Sequence, residues 1–406
     1  MSLDLVIADA SLPGREGRWD VGIGAGRIAA IDRRLDSPAP RVPAEGNLLA
    51  PGLVECHIHL DKAEILDRVT IAAGTLPEAV RETAAAKAAF TEEDVYARAA
   101  RVVEAAIGHG TMAMRSFVEV DPRAGLRSFA ALKAIRRDYA HLIDIQLCAF
   151  AQEGLTNEPE TEGLLRQALA DGADLVGGCT YTDPDPQAHI ARIFELGERF
   201  GVDVDFHTDF DLRPDGAHLP LILAEAERRR HAGRIACGHV TKLAAWTAAE
   251  VDLIAPRLAA ANIGVVTLPA TDLFLLGRDA TGLVPRGLAP LQRLRAGGTP
   301  TALATNNMLN PFTPYGDGNL LRIANLYANV AQLARDAELA SAFAMVGEEA
   351  AAMLGRAAAL APGAAADLVL FDASDAADAV RRIAPALRGW KAGRESFVRA
   401  PVEIRR

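Results

Sequence analysis

From residue 53 to residue 305, short apolar runs alternate with longer runs whose apolar positions recur at helical spacing, as in 96–108 and 160–170. The apolar runs are typical of buried strands, and each is followed by a helical run. Eight strand-then-helix units in about 300 residues predict an α/β protein with a (β/α)₈ TIM-like barrel. The alternative is an open, doubly wound sheet. The predicted strands are 53–57, 111–118, 143–150, 173–178, 202–207, 234–239, 263–268 and 301–305.

The two ends of the chain have a different pattern. Residues 3–8, 20–24 and 26–31 are short apolar segments separated by glycine turns, and residues 366–371 form a segment of the same type. Neither end is long enough to bury a core alone. We therefore predict a small composite β-domain made of residues 1–52 and 356–406, with the barrel at 53–355.

Composition excludes several classes of partner. Half of the 406 residues are hydrophobic, the net charge is −10, and there is no basic cluster, so neither nucleic acid nor membrane is expected as a partner. We expect a cytoplasmic protein that binds a small molecule, with a homo-oligomer left open. The scattered cysteines are predicted to be buried thiols of a reducing compartment: Cys56, Cys148, Cys179 and Cys237.

Histidines mark the ends of three predicted strands. His57 and His59 point to one face of the first strand because they are two residues apart, and His207 and His239 end the fifth and sixth strands. A lone His-x-His pair is more often hydrogen-bonded in a core than bound to metal. Four histidines at the mouth of one barrel instead favour a site with three ligands, His57, His59 and His207, and leave His239 beside a bound water.

Several motifs resemble the amidohydrolase superfamily, and within it the cytosine deaminase-like group. They are PGLVECHIHLD at 51–61, AFAQEG at 149–154, GADLVGG at 172–178, DFH at 205–207, CGH at 237–239, LGR at 276–278 and NPFTPYG at 310–316. The resemblance implies a deformed barrel and one divalent metal ion, zinc or iron, at its mouth. It implies that His57, His59 and His207 bind the metal, that His239 polarises the attacking water, and that Gln152 contacts the substrate ring.

Two departures from the family pattern concern proton transfer. Asn306 stands where the family has a metal-binding aspartate, and an amide cannot act as a base near neutral pH. Phe210 stands where cytosine deaminases have a glutamate that moves protons. A smaller change places Phe117 where the group often has a histidine. Asn306 is either native to a divergent subgroup or an aspartate changed to trap substrate; the accompanying change at Phe210 favours the former.

Three residues are candidates for the missing acid–base group. Asp209 and Asp211 flank Phe210 and would share a face on an extended loop, while Lys62 follows the histidine pair. We predict His239, Asp209 and Lys62 as catalytic residues and Asn306 as the fourth metal ligand. We predict that the substrate contacts Gln152, Phe210, Asn307 and Phe312.

The predicted function is hydrolysis of a non-peptide C–N bond in a small heterocyclic amine or cyclic amide by attack of metal-bound water. One alternative is a catalytically weak binder of small molecules on the same scaffold. Another is a cytosine deaminase-type aminohydrolase with a rearranged proton shuttle.

Overall fold

A computed structural model describes residues 2–405, and both ends of this range join one sheet. Strands β5 and β14 pair antiparallel, with Ala50 opposite Val369. Trp390 packs with Ile7 and Val21 in the core of this sheet. The strands are β1 Leu5–Leu12, β2 Arg15–Gly24, β3 Arg27–Asp32, β4 Arg41–Pro43, β5 Leu48–Pro51, β14 Leu368–Phe371, β15 Ala386–Lys391 and β16 Arg394–Val398. The predicted sheet from both termini is confirmed, and residues 1–52 and 356–406 stay our proposal for its domain boundaries.

The second sheet is an eight-stranded parallel barrel whose strands follow one another in chain order. Its strands are β6 Leu53–Ile58, β7 Thr111–Glu119, β8 Asp144–Ala151, β9 Leu175–Cys179, β10 Asp203–Thr208, β11 Ile235–His239, β12 Ile263–Thr267 and β13 Thr301–Leu303. All eight predicted strands are present. They read as continuous apolar runs because both of their faces are buried. The last is shorter than predicted, since the chain leaves regular pairing after Leu303.

Closure of the barrel depends on a short backbone contact between its first and last strands. Ile58 and Asn306 form an isolated parallel bridge. The Asn306 N–H donates to the His57 carbonyl at 2.8 Å, and the His59 N–H donates to the Asn306 carbonyl at 2.8 Å. The predicted barrel is therefore confirmed, and the open doubly wound sheet is excluded.

Helices cover the outside of the barrel. In α2 the buried residues recur at helical spacing, as at Val95, Ala99 and Val102, and pack on the strands. Thr75, Thr91 and Thr247 cap their helices by accepting backbone N–H groups. The helices are α1 Leu76–Lys87, α2 Glu92–Gly108, α3 Arg127–Asp138, α4 Glu160–Ala170, α5 Pro186–Phe200, α6 Leu219–Arg229, α7 Ala248–Ala260, α8 Pro269–Leu275, α9 Leu291–Ala296, α10 Leu320–Val330, α11 Asp336–Ala344, α12 Glu348–Met353 and α13 Ala376–Arg382. Within residues 2–405, each helix is too short or too polar to cross a lipid bilayer.

A buried ion pair lies in the barrel interior below the histidines. Arg115 Nη1 donates to Asp205 Oδ2 at 2.9 Å, and Arg115 Nη2 donates to the Met353 carbonyl at 2.8 Å. Burial raises the pKa of Asp205 to about 6, although Arg115 opposes that shift. The guanidinium therefore links β7 and β10 to the end of α12.

Replacing Arg115→Met should destabilise the fold by about 3–5 kcal/mol, because it leaves the Asp205 carboxylate buried without its partner. Urea unfolding followed by circular dichroism measures this. The double variant with Asp205→Leu should recover most of the loss, since no uncompensated charge remains. A single variant as stable as the unchanged protein would contradict this account of the barrel interior.

Candidate active site

Three imidazoles meet at the C-terminal mouth of the barrel. His57 and His59 lie at the end of β6, His207 lies at the end of β10, and one ligand atom from each falls within 4.8 Å of the others. The rings of His57 and His207 stack with centroids 4.4 Å apart, and those of His59 and His207 are 5.1 Å apart. The structure thus brings together the three residues predicted to bind metal, although their function as ligands remains a prediction.

The chemistry of these atoms fits a divalent cation. Within the described residues, both ring nitrogens of His57, Nε2 of His207 and Oδ1 of Asn306 are buried without a hydrogen-bond partner. Burial lowers the pKa of His57, His59 and His207 well below its ordinary value, so the rings are neutral near pH 7. Unpaired buried polar atoms are costly, and neutral imidazole nitrogens are the form that binds metal.

Asn306 reaches the site through the bridge that closes the barrel. Its backbone has a positive φ of 64°, a conformation that asparagine tolerates better than most residues. Glu55 supports the same junction by accepting the N–H groups of His57 at 3.1 Å and of Thr305 at 3.1 Å. Because backbone hydrogen bonds position residue 306, its side chain lies beside the histidine pair whether that side chain is neutral or charged.

Aromatic rings form the wall behind the histidines. Phe117 lies 4.2 Å from the ring of His57 and 4.7 Å from that of His207, and Phe150 lies 4.2 Å from the ring of His207. Both phenylalanines are fully buried. They exclude water from this side, which strengthens electrostatic interactions inside the site.

His239 is held by a carboxylate that the sequence analysis missed. Its Nδ1 lies 2.7 Å from Asp272 Oδ1, and both side chains are buried. Burial raises the pKa of Asp272, and the neighbouring His239 opposes that shift. Asp272 lies on α8, directly after β12, the strand next to that of His239. The ends of neighbouring parallel strands lie side by side, so the position of Asp272 just after β12 was the sequence signal that could have identified it.

Phe210 covers the other side of His239. The two rings are 4.1 Å apart, and Phe210 is 4 % exposed. Phe210 and Phe312 belong to one apolar cluster with Ala79 of α1 and Leu275 of α8. The two phenylalanines predicted to contact substrate thus form one apolar wall at the mouth.

Lys62 is engaged by a neighbouring acid. Its Nζ donates to Glu119 Oε1 at 2.6 Å and to Gln152 Oε1 at 3.4 Å, and it lies 4.3 Å from the centre of the Phe312 ring. Asn310 donates to the Lys62 carbonyl at 3.2 Å and to Asn307 Oδ1 at 2.7 Å. Gln152 therefore lies beside the ammonium group, and Asn310 links Asn307 to the Lys62 backbone.

A second group of acids surrounds Lys87, and the sequence analysis missed it. Glu119, Asp121 and Glu153 lie close enough together to hold a cation. The Lys87 ammonium occupies that position, at 2.8, 2.5 and 2.6 Å from the three carboxylates. These acids raise the pKa of Lys87 and outweigh the opposing effect of its burial. The cluster is an ionic network, and Lys62 and Arg123 share with Lys87 the compensation of its three carboxylates.

The predicted approach of Asp209 and Asp211 to the metal disagrees with the structure. The chain is not extended here, because Asp209 has a φ of 55°. Both Asp209 oxygens accept backbone N–H groups, from His218 at 2.6 Å and Leu219 at 3.0 Å, at the start of α6. Asp211 pairs with Lys242 at 2.7 Å. Hydrogen bonds hold both carboxylates in the loop, so the extended path that was predicted to bring one of them to the metal is not present.

Comparisons with known proteins agree with this arrangement. The model of the amidohydrolase family matches residues 140–397. The chain is 26% identical to N-isopropylammelide isopropyl amidohydrolase of Pseudomonas sp. (strain ADP), over 86% of this chain and 85% of the relative. It is 28% identical to pterin deaminase of Rhizobium rhizogenes (strain K84 / ATCC BAA-868), over 89% and 84%.

Solved structures show the same fold. The structure of 5-methylcytosine deaminase from Klebsiella pneumoniae liganded with 5-fluorocytosine superposes with a TM-score of 0.93 at 28% identity, covering 99% of each chain. That of N-isopropylammelide isopropylaminohydrolase from Burkholderia multivorans ATCC 17616 gives a TM-score of 0.84 at 28% identity, covering 97% of this chain and 98% of the other. The chain belongs to the amidohydrolase family, as a cytosine deaminase-like member, and is a hydrolase of carbon–nitrogen bonds.

Proposed function

We propose that this protein is a metal-dependent hydrolase that breaks a C–N bond of a small heterocyclic amine or cyclic amide. The observation that carries the proposal is the group of buried, neutral imidazoles of His57, His59 and His207, whose unpartnered nitrogens lie beside the amide oxygen of Asn306. The names of the relatives support the substrate class, since ammelide, pterin and 5-methylcytosine are small nitrogen heterocycles.

One divalent cation, zinc or iron, fits this donor set. His57, His59 and His207 would hold it, with Asn306 as a neutral oxygen donor. When bound, the cation supplies Lewis-acid activation of water and of the group under attack.

His239 is the residue we assign to proton transfer. Asp272 accepts a hydrogen bond from Nδ1–H, so the lone pair of Nε2 is free to take a proton from the attacking water and to deliver it to the leaving nitrogen. Asp272 also stabilises the imidazolium that results, in the manner of a buried aspartate behind a catalytic histidine. This pair favours the second candidate function as well, a cytosine deaminase-type aminohydrolase with a rearranged proton path. We assign Asp209 to holding the loop rather than to proton transfer, because both of its side-chain oxygens accept backbone N–H groups.

The apolar wall and the ammonium group set the substrate's position. Phe210 and Phe312 would pack on a flat ring, while Lys62 and Gln152 would donate hydrogen bonds at its edge. Because Glu119 already neutralises Lys62, we assign that lysine to substrate orientation rather than to proton transfer.

Metal analysis of the purified protein should find about one zinc or iron ion per chain, and His207→Asn should lose it because one of three nitrogen ligands is removed. Elemental analysis by mass spectrometry measures this. His141→Gln, a change at an exposed histidine, is the control and should keep the metal. The same preparations should be screened for ammonia or amine release from heterocyclic amines, lactams and imides. Protein without metal that binds these compounds unchanged would support the alternative of a weak binder.

Asn306→Asp should tighten metal binding about tenfold or more, because a unit charge a few ångströms from a dication is worth well over 1.4 kcal/mol even at an effective dielectric constant of about 20. Competition with a chromogenic chelator measures the affinity. Asn307→Asp adds the same charge one residue away and should have a smaller effect. Equal effects of the two changes would show that Asn306 is not at the metal.

Asn306→Asp alone should not give cytosine deamination, because Phe210 still occupies the shuttle position. The double variant with Phe210→Glu restores both carboxylates and is the matched comparison, with ammonia release from cytosine as the measurement. Robust deamination by the single variant would contradict our account of Phe210.

Asp272→Asn should lower kcat on the order of 100-fold with little change in KM, because His239 loses the acceptor that fixes its tautomer. Steady-state kinetics on a substrate from the screen measure this, and Asp272→Glu should recover part of the rate. A change confined to KM would place Asp272 in substrate binding instead.

A further inference from the structure

Tyr181 lies between the two aromatic walls of the mouth. It follows β9 and is half-buried. Its ring packs against the apolar cluster that contains Phe117 and Phe150. It also packs against the cluster that contains Phe210 and Phe312, with the rings of Tyr181 and Phe210 5.8 Å apart. Tyr181 therefore joins the wall behind the histidines to the apolar wall of the mouth.

The phenol of Tyr181 faces the inside of the ring of strand ends. The side chain within hydrogen-bonding reach of its hydroxyl is the thiol of Cys179. Cys179 is in register with His207 on the neighbouring strand, and residues in register on adjacent strands point to the same side of a sheet. Charges on Asp272 and Glu119 act on the phenol from either side of β9. The Tyr181 hydroxyl thus lies within the barrel mouth, on the side that His207 faces.

This hydroxyl is a donor without a strong acceptor. A thiol sulfur accepts hydrogen bonds only weakly. Burial raises the pKa of the Tyr181 phenol well above its ordinary value, and the nearby Cys179, Asp272 and Glu119 raise it further. The hydroxyl therefore keeps its proton at any pH at which His239 works as a neutral base. It is a poor acid, but it can donate a hydrogen bond throughout the reaction.

Addition of water to a heterocycle creates the acceptor that this donor lacks. The electron pair of the double bond under attack moves onto the heteroatom at its far end, which is a ring nitrogen or a carbonyl oxygen. That atom is a weak acceptor in the substrate and becomes strongly basic as the carbon becomes tetrahedral. A fixed donor at this atom stabilises the transition state more than the substrate, and one such donor is worth about 10²–10³ in rate.

We propose that Tyr181 is a catalytic residue that donates a hydrogen bond to the heteroatom double-bonded to the attacked carbon. This role rests on the proposed function of the same site. Phe210, which packs on Tyr181, has no donor to offer from the position where the resemblance implies a glutamate. Tyr181 keeps its hydrogen throughout, while His239 takes the proton of the attacking water and delivers it to the leaving nitrogen.

Tyr181→Phe removes one oxygen atom and keeps the ring. With the compound hydrolysed fastest in the screen as the probe, kcat should fall at least about tenfold and KM should change less than about twofold, because the hydrogen bond forms in the transition state. Steady-state release of ammonia or amine measures both constants. Tyr139→Phe is the matched control, since the Tyr139 hydroxyl donates to Glu104 at 2.5 Å between α2 and α3, and its kcat should be unchanged.

Fluorinated residues at position 181 separate the hydroxyl from the shape of the ring. The phenol of 3-fluorotyrosine is more acidic and donates a stronger hydrogen bond, so Tyr181→3-fluorotyrosine at pH 7 should have a kcat at least equal to that of the unchanged protein. Tyr181→3-fluorophenylalanine has the same ring substituent without the hydroxyl and should be as slow as Tyr181→Phe. Metal content and thermal unfolding should be the same for every variant.

An unchanged kcat in Tyr181→Phe, a loss confined to KM, or a 3-fluorotyrosine variant slower than the unchanged protein would overturn the role of Tyr181. So would a loss of rate that is accompanied by loss of metal or of thermal stability, because the tyrosine would then be structural. Failure of the unchanged protein to release amine from any compound in the screen refutes the proposed function and this role with it. Metal-dependent release that Tyr181→Phe leaves intact refutes only the role of Tyr181.

Discussion

The bridge between the first and last barrel strands is the contact on which the site depends. Two backbone hydrogen bonds join Asn306 to His57 and His59, each at 2.8 Å. They close the barrel where β13 is too short to pair along its length, and they fix the strand that carries both histidines. Because the contact uses backbone atoms, the side chain at position 306 can change without opening the barrel. This explains how an amide can occupy the position where the resemblance to the family implies an aspartate while the fold stays the same.

Positions 306 and 210, where the resemblance to the family implies carboxylates, carry uncharged side chains in this protein. With Asn306 and Phe210 at these positions, the acids in contact with the histidines are Glu55, Asp61 and Asp272. Asp272 pairs with His239, and Glu119 is shared between Lys62 and Lys87. Negative charge thus lies against an imidazole or an ammonium group, and Phe117, Phe150 and Phe210 pack against the histidine rings.

Ion pairs explain how the barrel interior accommodates buried charged side chains. Lys87, Lys62 and Arg123 together pair with Glu119, Asp121 and Glu153. Arg115 pairs with Asp205. Buried charges of this kind add little net stability, but removing one partner is costly. They hold strands β7, β8 and β10 in fixed relation, so that side chains at the strand ends meet with little freedom.

The sequence by itself determined the order of the eight barrel strands, the sheet built from both termini, and the grouping of His57, His59, His207 and His239 at strand ends. These follow from local patterns, since apolar runs, their periodicity and a residue's place at the end of a strand can all be recognised in the amino-acid sequence. Only the tertiary structure decided the partners of those residues. Asp272 lies 33 residues from His239, Glu119 lies 57 residues from Lys62, and Asp209 turns away at a left-handed backbone position. Such pairings depend on how each loop turns after its strand, which no local pattern specifies. For Asp272 alone, the predicted strand order offered a signal, because it follows the strand next to that of His239.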